Sequence, residues 1–341
     1  MKILITGGCG FVGSNLAIYL KKKYRNITIE TLDNLSRNGS FLNLKRLKKH
    51  NIKNYAFNIE NYNKIKKMPK YSFIIDCCAE AAVEVSKTET DKVFNTNLVG
   101  TFNILKKCAT DKSNLIFLST SRVYSIELLS KLKTKIKRKI KKKFLINKYL
   151  STKGAKSIYG FTKFSSEELI KEYSYLFNTK YIINRLGVIS GPWQFGKQDQ
   201  GFVSLWVWKH FNKQKMSYIG FGGKGNQIRD VIHIDDVSEL IYKQIKLFKK
   251  KNNLLLNVGG GPKNAISLKE LTDKCTQITK NNIDFTVKKS TSTYDIPYFV
   301  TDNKKVKKVY NWKPIKNMDD IVQDIYLWIK SNSTKLKVYF K

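Results

Sequence analysis

Residues 2–13 read KILITGGCGFVG, and Asp33 follows at the end of the next apolar run, ITIETL at 27–32. A short apolar run, then Gly7, Gly10 and Gly13, then helical periodicity over 10–23 spells a strand, a tight turn and a helix. Glycine lets the backbone approach a pyrophosphate and lets the helix pack close to the sheet. The helix N-terminus then offers unsatisfied N–H groups and a partial positive charge to phosphate oxygens. Asp33, twenty residues past Gly13, stands where a carboxylate accepts hydrogen bonds from the adenosine ribose hydroxyls. A 2′-phosphate there would meet a like charge, so NAD is expected in preference to NADP, with Arg37 as the one nearby group that favours the latter.

Working outward, apolar runs at 54–58, 73–78 (FIIDCC) and 114–119 (NLIFLS) read as further strands, with helical spacing at 90–109 and 159–177. Strands alternating with helices imply an α/β fold, a doubly wound parallel sheet covered on both faces. Past residue 180 comes one more buried strand at 181–189, then glycines, aromatics and loops to about 230, and helices at 235–248 and 267–279. The expected division is a dinucleotide-binding Rossmann domain over 1–180 and a smaller C-terminal substrate domain over 181–341. Segments near 181–190 and 230–250 are expected to return to the main sheet.

Tyr159-Gly-Phe-Thr-Lys163 places a phenol and an ammonium one turn apart on one helix face. An unperturbed tyrosine titrates near ~10, too high for a base at neutral pH. A neighbouring lysine and a positive nicotinamide ring would favour the phenolate. Lys163 is also placed to hold the nicotinamide ribose. The fifth strand runs out at Thr120, and a hydroxyl at the carboxyl end of a parallel strand points into the ligand crevice. Thr120 is therefore expected to hydrogen-bond a substrate oxygen and share its proton with Tyr159.

Gly7, Gly10, Gly13, Asp33, Asn97, Thr120, Tyr159 and Lys163 together resemble the extended short-chain dehydrogenase/reductase family, over nearly the whole chain. Within it, the sequence is similar to the CDP-tyvelose (CDP-paratose) 2-epimerases. The matching stretches include DNLSRNGSFLNLKRL from Asp33, GPWQFGKQDQGFVSLWV from Gly191 and GNQIRDVIHIDDV from Gly225. The resemblance implies that Phe11, Val12, Asn34, Asn58 and Ile59 join the cofactor site. It also implies oxidation at the sugar C2 carbon, with Tyr159 taking the hydroxyl proton, and reduction of the transient ketone from its other face. A UDP-hexose 4-epimerase would use the same machinery on another carbon. The family's 4,6-dehydratases carry Asp-Glu after the threonine; here those positions are Ser121 and Arg122, which sets dehydration aside.

For the nucleotide-sugar substrate, the resemblance puts a diphosphate-binding arginine at Arg229, whose planar fork suits phosphate oxygens. Gln194, Gln198 and Gln200 flank a loop suited to uncharged hydrogen bonding. Glu80 and Arg122 are expected near the sugar, while His233 reads as a hydrogen-bonded structural histidine. The sequence departs from the family at Asn58, where an aspartate is common, and at Ser292, where a second phosphate-binding arginine is expected.

A formal charge of +38 invites a polyanion, yet only seven of 64 basic residues are arginine and the lysines are spread evenly. One run, KLKTKIKRKIKKK at 131–143, is dense and reads as a solvated surface insertion. Nucleic acid is therefore not the expected partner, and a Rossmann-fold protein binding dinucleotide or RNA without catalysis is the contrasting possibility. Five scattered cysteines form neither a metal-ligand pattern nor a disulfide framework, so no metal is expected. No apolar run is long enough for a membrane span and no leader precedes the first strand, giving a cytoplasmic expectation. The resemblance implies a homo-oligomer.

Overall fold

The apolar runs of the first half become the strands of one sheet. The computed structural model describes residues 1–24, 26–81, 87–135, 145–197 and 200–340. It begins β1 (Lys2–Thr6), α1 (Phe11–Lys23), β2 (Thr28–Leu32), α2 (Ser40–Lys49), β3 (Lys53–Tyr55), α3 (Tyr62–Ile65) and β4 (Phe73–Asp76). Next come α4 (Thr90–Phe94), a π-helical turn (Asn95–Val99), α5 (Gly100–Asp111), β5 (Asn114–Thr120), α6 (Ile126–Lys135), α7 (Ile158–Phe177) and β6 (Tyr181–Leu186). Then follow β7 (Val188–Ser190), α8 (Phe202–Phe211), β8 (Met216–Ile219), β9 (Ile228–His233), α9 (Ile234–Leu247) and β10 (Leu254–Val258). The chain closes with β11 (Ala265–Ser267), α10 (Leu268–Thr279), β12 (Phe285–Lys288), β13 (Tyr298–Phe299), α11 (Lys304–Tyr310) and α12 (Met318–Leu336).

Seven strands lie in the order β10-β6-β5-β4-β1-β2-β3. The pairs β1–β2, β1–β4, β2–β3 and β4–β5 are parallel. Strand order reverses between β1 and β4, and in a doubly wound sheet the crevice beyond the carboxyl ends at such a switch point is where ligands bind. Both faces are covered, so β4 and β5 are buried along almost their whole length. Leu4, Ile74, Leu115, Phe117 and Ile183 form a core with Ile104, Leu105 and Ile170 of the helices.

Two compact units result. The first comprises Met1–Val123, Ser157–Arg185 and Ser238–Leu256; the second, Tyr124–Lys156, Leu186–Val237 and Asn257–Lys341. Residues 124–156 thus belong with the second unit although they precede residue 180, and 238–256 rejoin the first. The second unit holds a four-stranded sheet, β11-β9-β13 with β7 also on β9, and the pair β12–β8. Its core gathers Val203, Trp206, Val207 and Trp208 of α8 against Ile321, Ile325, Trp328 and Ile329 of α12. Two helices start on full capping boxes, Ser267 with Glu270 at α10 and Asn317 with Asp320 at α12.

Two expectations are refined by the backbone. The run at 181–189 divides at Gly187 into β6, in the main sheet, and β7, which pairs with β9 in the second unit. A Cβ at Gly187 would sit 3.3 Å from the side chains of Asp230 and Thr301, a tight approach on both. The helix at 90–109 carries the π-helical turn at Asn95–Val99, a wider turn that often accompanies function. The segment 136–144, most of the basic run, and Gln198 lie outside the described residues. Among the described residues no helix is long and apolar enough to cross a membrane.

Candidate active site

The turn after β1 is shaped by close approach. Gly7 adopts a φ of +61°, and its carbonyl accepts from Gly10 N at 3.0 Å. A Cβ on Gly13 would lie 2.3 Å from the Gly7 oxygen, which no side-chain motion relieves. Gly10 opens α1 without a side-chain cap and with no acidic residue in the first turn, leaving the N–H groups of that turn for an anionic group. Phe11, Val12 and Gly13 supply that turn.

Asp33 accepts from Cys9 N at 2.9 Å through one oxygen and from Leu35 N at 2.8 Å through the other. Burial raises the carboxyl's pKa, opposed by these N–H bonds and by the Arg37 cation. Asp33 is therefore a turn cap as well as a ribose candidate, since an ionised carboxylate has about four acceptor directions. Asn34 repeats the device, accepting from Ser36 N at 3.1 Å, and is exposed. Asn58 accepts from Glu60 N at 3.3 Å, while Ile59 is buried against Gly100, where a Cβ would come within 2.7 Å of it.

Asn97, on the π-helical turn, is fully buried. Its carbonyl accepts from Glu80 N at 2.8 Å, and its amide donates to Glu80 O and to Thr162 Oγ1, both at 3.2 Å. The turn thereby pins the loop after β4 to α7. Glu80 is buried and ion-paired to Arg37 at 2.6 Å.

The candidate catalytic residues Tyr159 and Lys163 lie on α7, which starts on Ser157, whose hydroxyl accepts from Gly160 N at 3.1 Å. Tyr159 and Thr120 are both 8% exposed, and the Thr120 hydroxyl is among the groups that act on the phenol. Thr120 Oγ1 also accepts from Arg122 N at 3.2 Å, fixing its rotamer at the end of β5. Burial pushes the Tyr159 phenol up; the Thr120 hydroxyl and the Arg122 and Arg37 cations draw it back. Lys163, expected to favour the phenolate, is buried. One turn on, its ammonium rests 3.8 Å from the centroid of the Phe117 ring, among buried acidic groups that claim its charge.

Three side chains beyond the expected set complete this face. Glu167, fully buried on α7, receives Arg185 at 2.6, 3.0 and 3.1 Å and Ser119 Oγ at 2.5 Å. Asp76 closes β4, fully buried, accepting from Thr6 Oγ1 at 2.6 Å and Thr101 Oγ1 at 3.0 Å. The signals were legible: Glu167 continues the Tyr159–Lys163 spacing by four, and Arg185 and Asp76 interrupt apolar strands.

In the second unit, Gln194 accepts from Ser190 Oγ at 2.8 Å and Ser204 Oγ at 3.0 Å and donates to Ile189 O at 3.0 Å. Its amide locks the loop. Gln200 exchanges backbone bonds with Lys197 at 2.7 and 3.2 Å. Arg229 donates to Asp295 Oδ1 at 2.8 Å and Ile296 O at 2.6 Å, and Ser292 O accepts from Asp295 N at 3.0 Å. His233 is buried and accepts from Asp235 N at 3.1 Å through Nδ1, as a structural histidine does. Among the described residues no cluster of His, Cys, Asp or Glu could hold a metal ion.

The family model described as the NAD dependent epimerase/dehydratase family matches residues 3–259. This chain belongs to that family. It is 30% identical to CDP-paratose 2-epimerase of Salmonella typhi, over 97% of this chain and 100% of that protein. It is 32% identical to dTDP-D-glucose 4,6-dehydratase of Dictyostelium discoideum, over 69% of this chain and 53% of that one. In fold it is similar to the UDP-glucose 4-epimerase of Thermotoga maritima, solved with UDP-glucose, at a TM-score of 0.84 and 22% identity, covering 98% and 100% of the two chains. The protein is thus an NAD-dependent enzyme of the sugar-nucleotide epimerase and dehydratase group, and the uncapped α1 terminus and glycine turn fit that cofactor.

Proposed function

We propose that the protein epimerises a nucleotide-diphosphate sugar, CDP-paratose or CDP-tyvelose, at C2. The observation that carries this reading is Thr120 at the carboxyl end of β5, buried as Tyr159 is and followed by Ser121 and Arg122. Elimination of water needs a positioned acid and base beside that threonine, and a hydroxyl with a guanidinium supplies neither carboxyl. Reversible oxidation at a carbinol carbon needs only the phenol. The preference for a CDP-linked sugar rests on full-length similarity to the Salmonella enzyme and on the GPWQFGKQDQG loop.

NAD, when bound, supplies the acceptor and donor of hydride. Gly7, Gly10 and Gly13 with the first turn of α1 would hold its pyrophosphate, Asp33 a ribose, and Lys163 the second ribose. Tyr159 takes the proton of the substrate hydroxyl as the carbon is oxidised and returns it on reduction. Thr120 orients that hydroxyl and passes hydrogen-bond character to the phenol. Arg122 and Arg37 lower the cost of the phenolate. Arg229 is assigned the diphosphate, exchanging Asp295 for phosphate oxygens.

Purified protein incubated separately with CDP-paratose, CDP-tyvelose and UDP-glucose distinguishes the carbons. Interconversion of the two CDP sugars is expected; turnover of UDP-glucose alone overturns the C2 assignment in favour of 4-epimerisation.

A further inference from the structure

Lys163 is 1% exposed, and so much burial of an ammonium demands a compensating charge. Its Nζ sits over the Phe117 ring, and Phe117 pairs in register with Asp76 on the adjacent strand. Residues paired this way point to the same face of a sheet, so the ammonium and the Asp76 carboxylate occupy one buried level beneath α5 and α7. Asp76 pairs on its other side with Thr6, across the reversal in strand order.

Among the described residues the hydrogen-bond donors to Asp76 are neutral: the hydroxyls of Thr6 and Thr101 and Cys78 N, the last at 3.2 Å. Glu167, the other carboxylate facing Lys163, already has the bidentate Arg185. Two buried cations and two buried carboxylates thus divide into pairs, and the cation left for Asp76 is Lys163. We propose that Asp76 is the counter-ion of Lys163, a positioning residue that holds the lysine's charge at the catalytic face.

Burial pulls the Lys163 ammonium down, and Asp76 is the largest charge opposing this, ahead of Cys78, Cys77 and Glu167. The Cys77 and Cys78 thiols are themselves pushed far up by burial and carry no charge near neutrality. The charges that matter there are Asp76 and the Glu167–Arg185 pair, with Tyr159 and Thr120 neutral one turn away. Attraction at this depth acts without an ion-pair contact because the interior screens it weakly. The consequence for the proposed reaction is a lysine that stays protonated while its ammonium remains available to a ribose hydroxyl.

The test is the titration of Lys163 in protein labelled with [13C,15N]lysine, without substrate, its resonance assigned by loss in Lys163→Arg. Asp76→Asn is expected to lower the Lys163 pKa by about one unit or more, and to move the alkaline limb of kcat down with it. Thr6→Val and Thr101→Val, which remove hydroxyls but keep the carboxylate, are expected to leave it near its original value. A Lys163 pKa unchanged in Asp76→Asn, or displaced equally by the threonine variants, overturns the proposal. Should Asp76→Asn fail to fold, Lys163→Met leaves the carboxylate without its cation and lowers the urea midpoint. Adding Asp76→Asn to Lys163→Met then restores it, and no restoration also overturns the proposal. The role in catalysis rests on the epimerase reading, but the titration does not. A shifted lysine with no epimerisation would refute that reading alone.

Discussion

Glu167→Ala breaks the one pair that ties α7, β5 and β6 together at the catalytic face. The carboxylate is wholly buried and takes three contacts of 2.6–3.1 Å from Arg185 and one from Ser119, the residue before Thr120. Arg185 is only 5% exposed, so the variant strands a guanidinium with no solvent to turn to. Removing one partner of such a pair costs about 3–5 kcal/mol, chiefly the penalty of the orphaned charge. At about 2–4 °C per kcal/mol for a unit of this size, melting should fall by roughly 6–20 °C. Differential scanning calorimetry of the wild type, Glu167→Ala and the double variant Glu167→Met with Arg185→Met separates charge from packing. The double variant should recover most of the loss, because replacing both ions by apolar groups of similar volume is often neutral or better. A fall below ~2 °C in the single variant, or a double variant less stable than the single one, would refute the reasoning.

Other outcomes follow from single contacts. Gly13→Ala drives a Cβ to 2.3 Å from the Gly7 carbonyl, so nucleotides released on denaturation should contain little or no NAD, whereas the wild type should release it stoichiometrically. Tyr159→Phe should lower kcat by at least ~100-fold, the usual scale for a lost acid/base, while leaving bound NAD in place. His210 is buried, donates to Trp206 O at 2.7 Å and has its pKa lowered from 6.5 by burial, and the pKa of His233 is lowered by the same cause. Between the folded value and 6.5 the unfolded chain binds more protons. The stabilisation is therefore complete above 6.5 and is lost as pH falls through the folded value. Melts from pH 7.5 down to about 5 should show this decline, and His210→Gln should flatten it; an equal slope in both proteins contradicts the assignment.

The sheet was legible because its central strands are buried and read as mostly apolar runs. The glycine turn was legible because only glycine tolerates a carbonyl at that distance. What escaped was long-range pairing. Nothing local in Arg185 names Glu167, and nothing in YGFTK says that the Lys163 ammonium lies over the Phe117 ring. Helical spacing puts two side chains on one face but leaves a four-carbon stem free to follow the strongest field. Gln194 shows the same limit: its type suggested sugar recognition, while its geometry holds Ser190, Ser204 and Ile189 together. The division of 181–189 at Gly187 was hidden because both halves are apolar and the strand changes sheets within one residue.

Hydride chemistry at C2 is tested most directly with CDP-tyvelose carrying deuterium on that carbon. If Tyr159 serves a reversible oxidation with a retained cofactor, CDP-paratose forms with the deuterium still at C2, and unlabelled substrate gains none from D2O. Washout of the label into solvent, or conversion of UDP-glucose with neither CDP sugar touched, would contradict it.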